Sequence, residues 1–128
     1  MTNPTKKLDL WNTAMEPTVS VYITTDTFPK DERYSLTDQI RRAAVSVPSN
    51  TVEGAGRQTR KEFINYLHKA QGLLSELYTQ LELARRLGYL TRDSWAIFDE
   101  QVERIDKMLS GLIRHQKANG VKRVVMQS

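Results

Sequence analysis

The chain of 128 residues has no cysteine, which removes disulfides, thiolate metal sites and cysteine nucleophiles together. A reducing, cytoplasmic setting is the expectation that follows. Histidine is nearly absent: His68 and His115 are the only two, and neither stands in a spacing such as H-E-x-x-H. Dinuclear metal sites in helical bundles need Glu-x-x-His pairs, and Glu62 precedes His68 by six residues instead. Serines are present, but no nucleophile elbow surrounds one. No apolar run approaches the roughly 20 residues needed to span a bilayer. The polar stretch Met1 to Lys7 leads into no signal-type apolar segment. These absences predict no catalytic constellation, no metal, no cofactor and no membrane partner.

What is present is helical. Apolar residues make up 39% and charged residues 27%, a balance that predicts one globular domain with one core. Thr59-Arg60-Lys61-Glu62 has the form of a capping box. Phe63, Leu67, Ala70, Leu74, Leu77, Leu81 and Ala84 then recur at steps of four and three, which keeps one stripe on one side of a helix. Gly88 is placed for a left-handed C-cap. The next helix has Thr91, Asp93 or Ser94 as its cap. Trp95, Phe98, Val102, Ile105, Leu109 and Leu112 form its stripe, and Asn119-Gly120 its stop. The short link between these two helices makes them antiparallel neighbours.

An earlier helix starts at Ser35, expected to act as its cap, and holds its period through Leu36, Ile40, Ala43, Val47 and Thr51. Pro48 interrupts it. An interior proline removes a hydrogen bond and costs about 3 kcal/mol, so the helix either stops near Val47 or bends and continues. The surviving period favours a bend, with Gly54 and Gly56 ending the helix. The first segment is ambiguous. Leu8, Trp11, Met15, Thr18 and Tyr22 fit a helix, while Val19, Val21 and Ile23 alternate like a strand. A lone strand would leave its ladder unpaired, so a helix is expected. The prediction is an all-α, antiparallel up-down four-helix bundle, its second helix bent at Pro48. The helices lie near 9–26, 35–55, 60–87 and 94–118, with a tail over 121–128 that either frays or docks on a neighbour.

Charge is uneven. The net formal charge is +4. From Lys30 to Lys61 seven basic residues face four acidic ones, and 91–110 holds three basic against five acidic. Arg41 and Arg42 form one cationic pair; Arg57, Arg60 and Lys61 form a second group beside a helix start, where an anion could be held. The segment Glu53-Gly54-Ala55-Gly56-Arg57 is no Walker loop, because Gly-Lys-Ser/Thr is absent. Small residues Ala43, Ala44, Ser46 and Ser49 gather near Pro48, where they serve internal packing or contact with another subunit. Tyr66, Leu73, Tyr78 and Leu83 lie off the main stripe and suggest a second buried face.

The run from Tyr34 to Arg57 resembles the four-helix-bundle proteins encoded in intervening sequences of 23S ribosomal RNA genes. Matching positions are Leu36, Gln39, Ile40, Arg41, Arg42, Ala43, Ser46, Pro48, Asn50, Glu53, Gly54 and Arg57. Phe63, Leu67, Ala70, Gly72, Leu74, Glu76, Leu77 and Leu81 match the family's third helix. The first helix departs most, with Pro17 and its β-branched run. The resemblance implies an up-down bundle and a ring-like homopentamer. It also implies kinship with the accessory variability proteins of diversity-generating retroelements, which bind nucleic acid and a reverse transcriptase.

Two readings follow. In one, Arg41, Arg42, Arg57, Arg60 and Lys61 meet the phosphates of RNA or DNA. In the other, the protein is a structural or protein-interaction module, and Gln39, Ser46, Pro48, Asn50, Glu53 and Gly54, with Arg41 and Arg57, serve the fold and a subunit interface. Cations consumed in buried pairs would favour the second; a continuous basic face would favour the first.

Overall fold

A computed structural model describes the backbone of residues 9–127 and the side chains of residues 9–119. Among the described residues there are four α-helices and no strand: α1 Asp9–Thr25, α2 Leu36–Ala55, α3 Arg60–Arg86 and α4 Arg92–Gln127. A single 3-10 turn, Lys30–Glu32, lies between α1 and α2. Each helix packs on its two neighbours, α1 on α2, α2 on α3, α3 on α4 and α4 back on α1. This closed square is the up-down bundle that the sequence predicts.

The ends of α3 follow local chemistry. The Glu62 N–H donates to the Thr59 hydroxyl at 3.1 Å, satisfying a backbone donor that a helix start leaves open. At the other end Gly88 takes φ +81°. The Tyr89 N–H then reaches the Ala84 carbonyl at 2.9 Å and the Gly88 N–H reaches Arg85 at 3.0 Å, which together form a Schellman close. Thr91 caps α4 by accepting from the Ser94 N–H at 3.1 Å.

The core stripes of α2, α3 and α4 are those the periodicity marks. Ile40, Leu67, Leu77, Leu81, Ile105 and Leu109 are fully buried, each contributing about 1.5–3 kcal/mol of apolar transfer. In α4 the stripe closes on Ile113, with Leu112 half-buried beside it.

Four expectations are corrected. First, α1 is helical across Val19–Ile23, but its inward stripe is rotated from the predicted one. Leu10, Thr13, Ala14, Pro17, Thr18, Val21 and Thr25 face the core, while Val19, Tyr22 and Ile23 are exposed. Threonine can face inward because its hydroxyl bonds back to the preceding turn, as Thr25 does to the Val21 carbonyl at 2.6 Å. Leu8 lies outside the described residues. Second, Ser35 stands at the N-cap of α2 without a side-chain capping bond. Third, Gly54 does not end α2. It lies inside the helix, buried, and a Cβ there would fall 2.6 Å from the Tyr66 Cβ, so the position is one of close approach to α3. Fourth, α4 runs on through Asn119-Gly120 to Gln127, where a stop and a separate tail were expected. Glycine permits a left-handed stop but does not compel one, and it costs a helix only about 1 kcal/mol.

Helix α2 continues unbroken through Pro48. Proline has no N–H, so the Ala44 carbonyl loses its donor from within the helix. The Thr18 hydroxyl of α1 lies 3.0 Å from that carbonyl and 2.9 Å from the Ala14 carbonyl, and its single proton is shared between them. A buried acceptor left open by Pro48 is thus met by the neighbouring helix.

Candidate nucleic-acid interface

The five predicted cations do not form one patch. Arg41 lies in the second turn of α2 and Arg57 just past its end, 16 residues apart in sequence; along a helix that is about 24 Å. The α1–α2 end therefore holds Arg41 and Arg42, and the opposite end holds Arg57, Arg60 and Lys61.

Arg41 is half-buried and engaged. Its Nε donates to the Thr25 hydroxyl at 2.9 Å, its second guanidinium nitrogen reaches the Tyr22 carbonyl at 3.3 Å, and its plane sits 4.8 Å from the Tyr22 ring centre. It joins α2 to the last turn of α1. Arg42 is exposed and pairs with Asp38 one helical turn earlier, at 3.1 Å, a contact worth only about 0.3–0.5 kcal/mol. Gln39 is exposed.

The residues around Pro48 bond within their own helix. The Ser46 hydroxyl donates to the Arg42 carbonyl and the Asn50 amide to the Ser46 carbonyl, each at 2.7 Å. Glu53 accepts from Arg57 at 3.0 Å. Arg57 also donates to the Tyr66 hydroxyl and lies 4.9 Å from that ring's centre, so it clasps the end of α2 onto α3.

Beyond Arg57 the bundle end is open and basic. The Arg60 Nε donates to the Gln116 side chain of α4 at 3.2 Å. Gln116 is neutral, so Arg60 keeps an uncompensated charge. Lys61, Arg114 and Lys117 are exposed at this end. Arg114 and Lys117 flank Gln116 on one turn of α4; they belong to the stretch from Arg114 to Ser128, which has four basic residues and no acidic one in sequence, and lie outside the grouping of Arg41, Arg42, Arg57, Arg60 and Lys61. The signal for them was the acid-free run after Asp106, but only the antiparallel packing of α3 and α4 brings it to Lys61. Five cations (Arg57, Arg60, Lys61, Arg114, Lys117) here face two carboxylates, Glu53 and Glu62.

Farther along α4 the sign reverses. Asp99, Glu103 and Asp106 line a groove of about 420 Å³ with Leu74, Ser75, Tyr78, Thr79 and Val102. The Asp99 carboxyl beside the Tyr78 hydroxyl, with some loss of solvent, holds the tyrosine pKa above its usual value. No three His, Asp or Glu side chains among the described residues converge on a metal-binding arrangement, and no helix there is long and apolar enough to cross a membrane.

Arg85 and Arg86 look like a further basic pair in sequence. Both close on Glu82, Arg86 at 2.9 Å, and the two guanidinium groups hold the Glu82 carboxyl at about 2. A lowered folded value means the charged clasp is intact above about pH 4.5 and is lost as pH falls through about 2. An NMR titration of the Glu82 carboxyl should accordingly show it still ionised at about pH 3, where an ordinary glutamate is protonated.

No curated protein matches this chain. Among solved structures, a protein of unknown function from the S23 ribosomal protein family of Bacteroides thetaiotaomicron superposes with a TM-score of 0.74 at 26% identity. The match covers 81% of this chain and 97% of the other. The family model for the 23S rRNA-intervening sequence protein matches residues 6–111. With a bundle of this form and a match over most of its length, the chain belongs to the 23S rRNA-intervening sequence protein family.

Proposed function

We propose that this is a non-catalytic, oligomeric helical-bundle protein that binds nucleic acid through the basic end where α3 begins and α4 passes it. One observation carries the reading: Arg60, Lys61, Arg114 and Lys117 share that end with few carboxylates. Cations in this setting neutralise phosphates and release counterions, which makes binding strong at low salt and weak at high salt. Arg41 and Arg57, by contrast, are engaged in holding helices together, so the contribution to a nucleic-acid surface shifts toward α3 and α4. The acidic groove on α4 repels phosphates and gives the protein a preferred side.

Oligomerisation is the second part of the proposal. The outer side of α1 presents Val19 and Ile23, 53% and 70% exposed, with Tyr22 beside them. Leu83 near the end of α3 and Leu87 just past it form another exposed apolar pair, on the helix diagonal to α1. Two different patches on opposite sides suit head-to-tail contacts, which close into rings when the rotation permits. A ring of five, and the kinship with retroelement accessory proteins, are carried by family resemblance.

The reading of a protein-interaction module is favoured by the clasps that Arg41 and Arg57 make. The two are separated by replacing Arg60, Lys61 and Arg114 with alanine. Affinity for a structured RNA in low salt should fall about tenfold or more, while melting should fall only slightly, since Lys61 and Arg114 are exposed and half-buried Arg60 gives up one hydrogen bond to Gln116. Equal binding by that variant and the native protein, or no binding by either, refutes the nucleic-acid reading.

A further inference from the structure

Where the aromatic side chains lie decides which form of nucleic acid suits the basic end. Proteins that hold a single strand combine a cationic groove with aromatic faces on which successive bases stack. The chain has two tryptophans, five tyrosines and three phenylalanines, and all of them lie among the residues whose side chains are described.

The two aromatics at the start of α3 are already engaged. Phe63 packs against the core. The Tyr66 ring is met by the Arg57 guanidinium at 4.9 Å and by the Lys69 ammonium at 4.5 Å, and Arg57 also donates to its hydroxyl. The Tyr66 Cβ lies against α2 at the close approach of Gly54.

The aromatics that stand free are elsewhere. Tyr22 and Tyr34, 46% and 86% exposed, are at the end where α2 begins, about 24 Å or more along that helix from Arg57. Tyr78 lines the acidic groove with Asp99, Glu103 and Asp106, where phosphates are repelled. Trp11 is half-buried on α1, the helix diagonal to α3. Phe28, Tyr89, Trp95 and Phe98 are in the core or packed against it. The cations of the basic end therefore act without a stacking platform beside them.

Arg60 supplies something other than bare charge. Its Nε donates to the Gln116 side chain at 3.2 Å, which ties the guanidinium across α3 and α4. A guanidinium held through Nε still has two terminal nitrogens, a planar fork that fits two phosphate oxygens. Without stacking, affinity follows charge density. A duplex carries one phosphate charge per about 1.7 Å of its axis, against one per about 3.4 Å for either of its strands.

We propose that the basic end grips the phosphate backbone of a nucleic-acid duplex in preference to a single strand, with Arg60, oriented by Gln116, as a fork on one phosphate. Lys61, Arg114 and Lys117 supply charge around it, and the bases stay stacked inside the duplex. This inference rests on the nucleic-acid reading of the same end and adds to it the form of the ligand.

The test is an anisotropy titration of the full chain at low salt with a short DNA duplex, an RNA duplex of the same sequence, and an oligothymidylate carrying the same number of phosphates. The duplexes should bind about tenfold more tightly than the oligothymidylate. Preference for both duplexes identifies the shared backbone as the ligand; preference for one identifies that helix as its source. Arg60→Lys should weaken duplex binding about fivefold and leave the slope of log affinity against log salt unchanged, because the charge stays and the fork goes. Gln116→Leu should weaken it by a similar factor, again with an unchanged slope. A merely structural role for Gln116 would instead lower the melting temperature and leave duplex affinity at the native value.

Oligothymidylate bound as tightly as the duplexes, or more tightly, overturns the duplex assignment and leaves the basic-end reading standing. Native affinity in Arg60→Lys overturns the fork. No binding of any of the three at low salt sinks the basic-end reading, and this inference with it.

Discussion

Gly54→Ala should destabilise the protein by about 2 kcal/mol, although alanine is the better helix former by about 1 kcal/mol. The reason is distance. A Cβ at this position would lie 2.6 Å from the Tyr66 Cβ and 3.0 Å from a Phe63 ring carbon. Tyr66 Cβ is fixed to the α3 backbone, so the strain cannot be relieved by a rotamer change; α2 and α3 must separate. That separation also disturbs the Arg57 clasp on Tyr66. Gly72 is the control. A Cβ there meets nothing within 4 Å, and Gly72→Ala should stabilise by about 1 kcal/mol. Urea denaturation of the two variants should therefore move midpoints in opposite directions. A stabilised Gly54→Ala would mean that α2 and α3 lie farther apart than described.

The second large effect concerns Pro48 and Thr18. Thr18→Val keeps the side-chain shape and removes the hydroxyl that meets the Ala44 carbonyl. It should cost about 2 kcal/mol, the range for a buried acceptor left open. Pro48→Ala restores the missing N–H to α2, and with it the donor for Ala44. In that background Thr18→Val should cost less than about 0.5 kcal/mol. A double-mutant cycle measures the difference directly, because the two residues act on one carbonyl. Additive costs would show that the Thr18 contact does not compensate for the proline.

These two sites show what the sequence discloses and what it hides. The stripe from Leu67 to Ala84, the Thr59 cap and the Gly88 close are written in spacings of three and four residues, so α3 is legible end to end. The register of α1 is not, because its inward side uses Thr13, Thr18 and Thr25 while Val19 and Ile23 point outward. Hydrophobicity alone selects the wrong side when threonine hydroxyls are satisfied locally. Gly54 reads as a helix stop because glycine has two unrelated uses, backbone freedom and close approach, and only the neighbouring helix tells them apart.

The candidate site was legible in the same partial way. Arg60 and Lys61 stand out as charges beside a helix start. Arg41 stands out equally, yet its contacts with Thr25 and Tyr22 arise only when α1 and α2 pack.

The most direct measurement is the slope of log affinity against log salt concentration for a structured RNA or a DNA duplex. Replacing Arg60, Lys61 and Arg114 together should flatten that slope by close to three on a duplex, about 0.9 for each phosphate contact removed. Parallel slopes for native and variant proteins, or an absence of binding even at low salt, would contradict a phosphate-binding role for this end of the bundle.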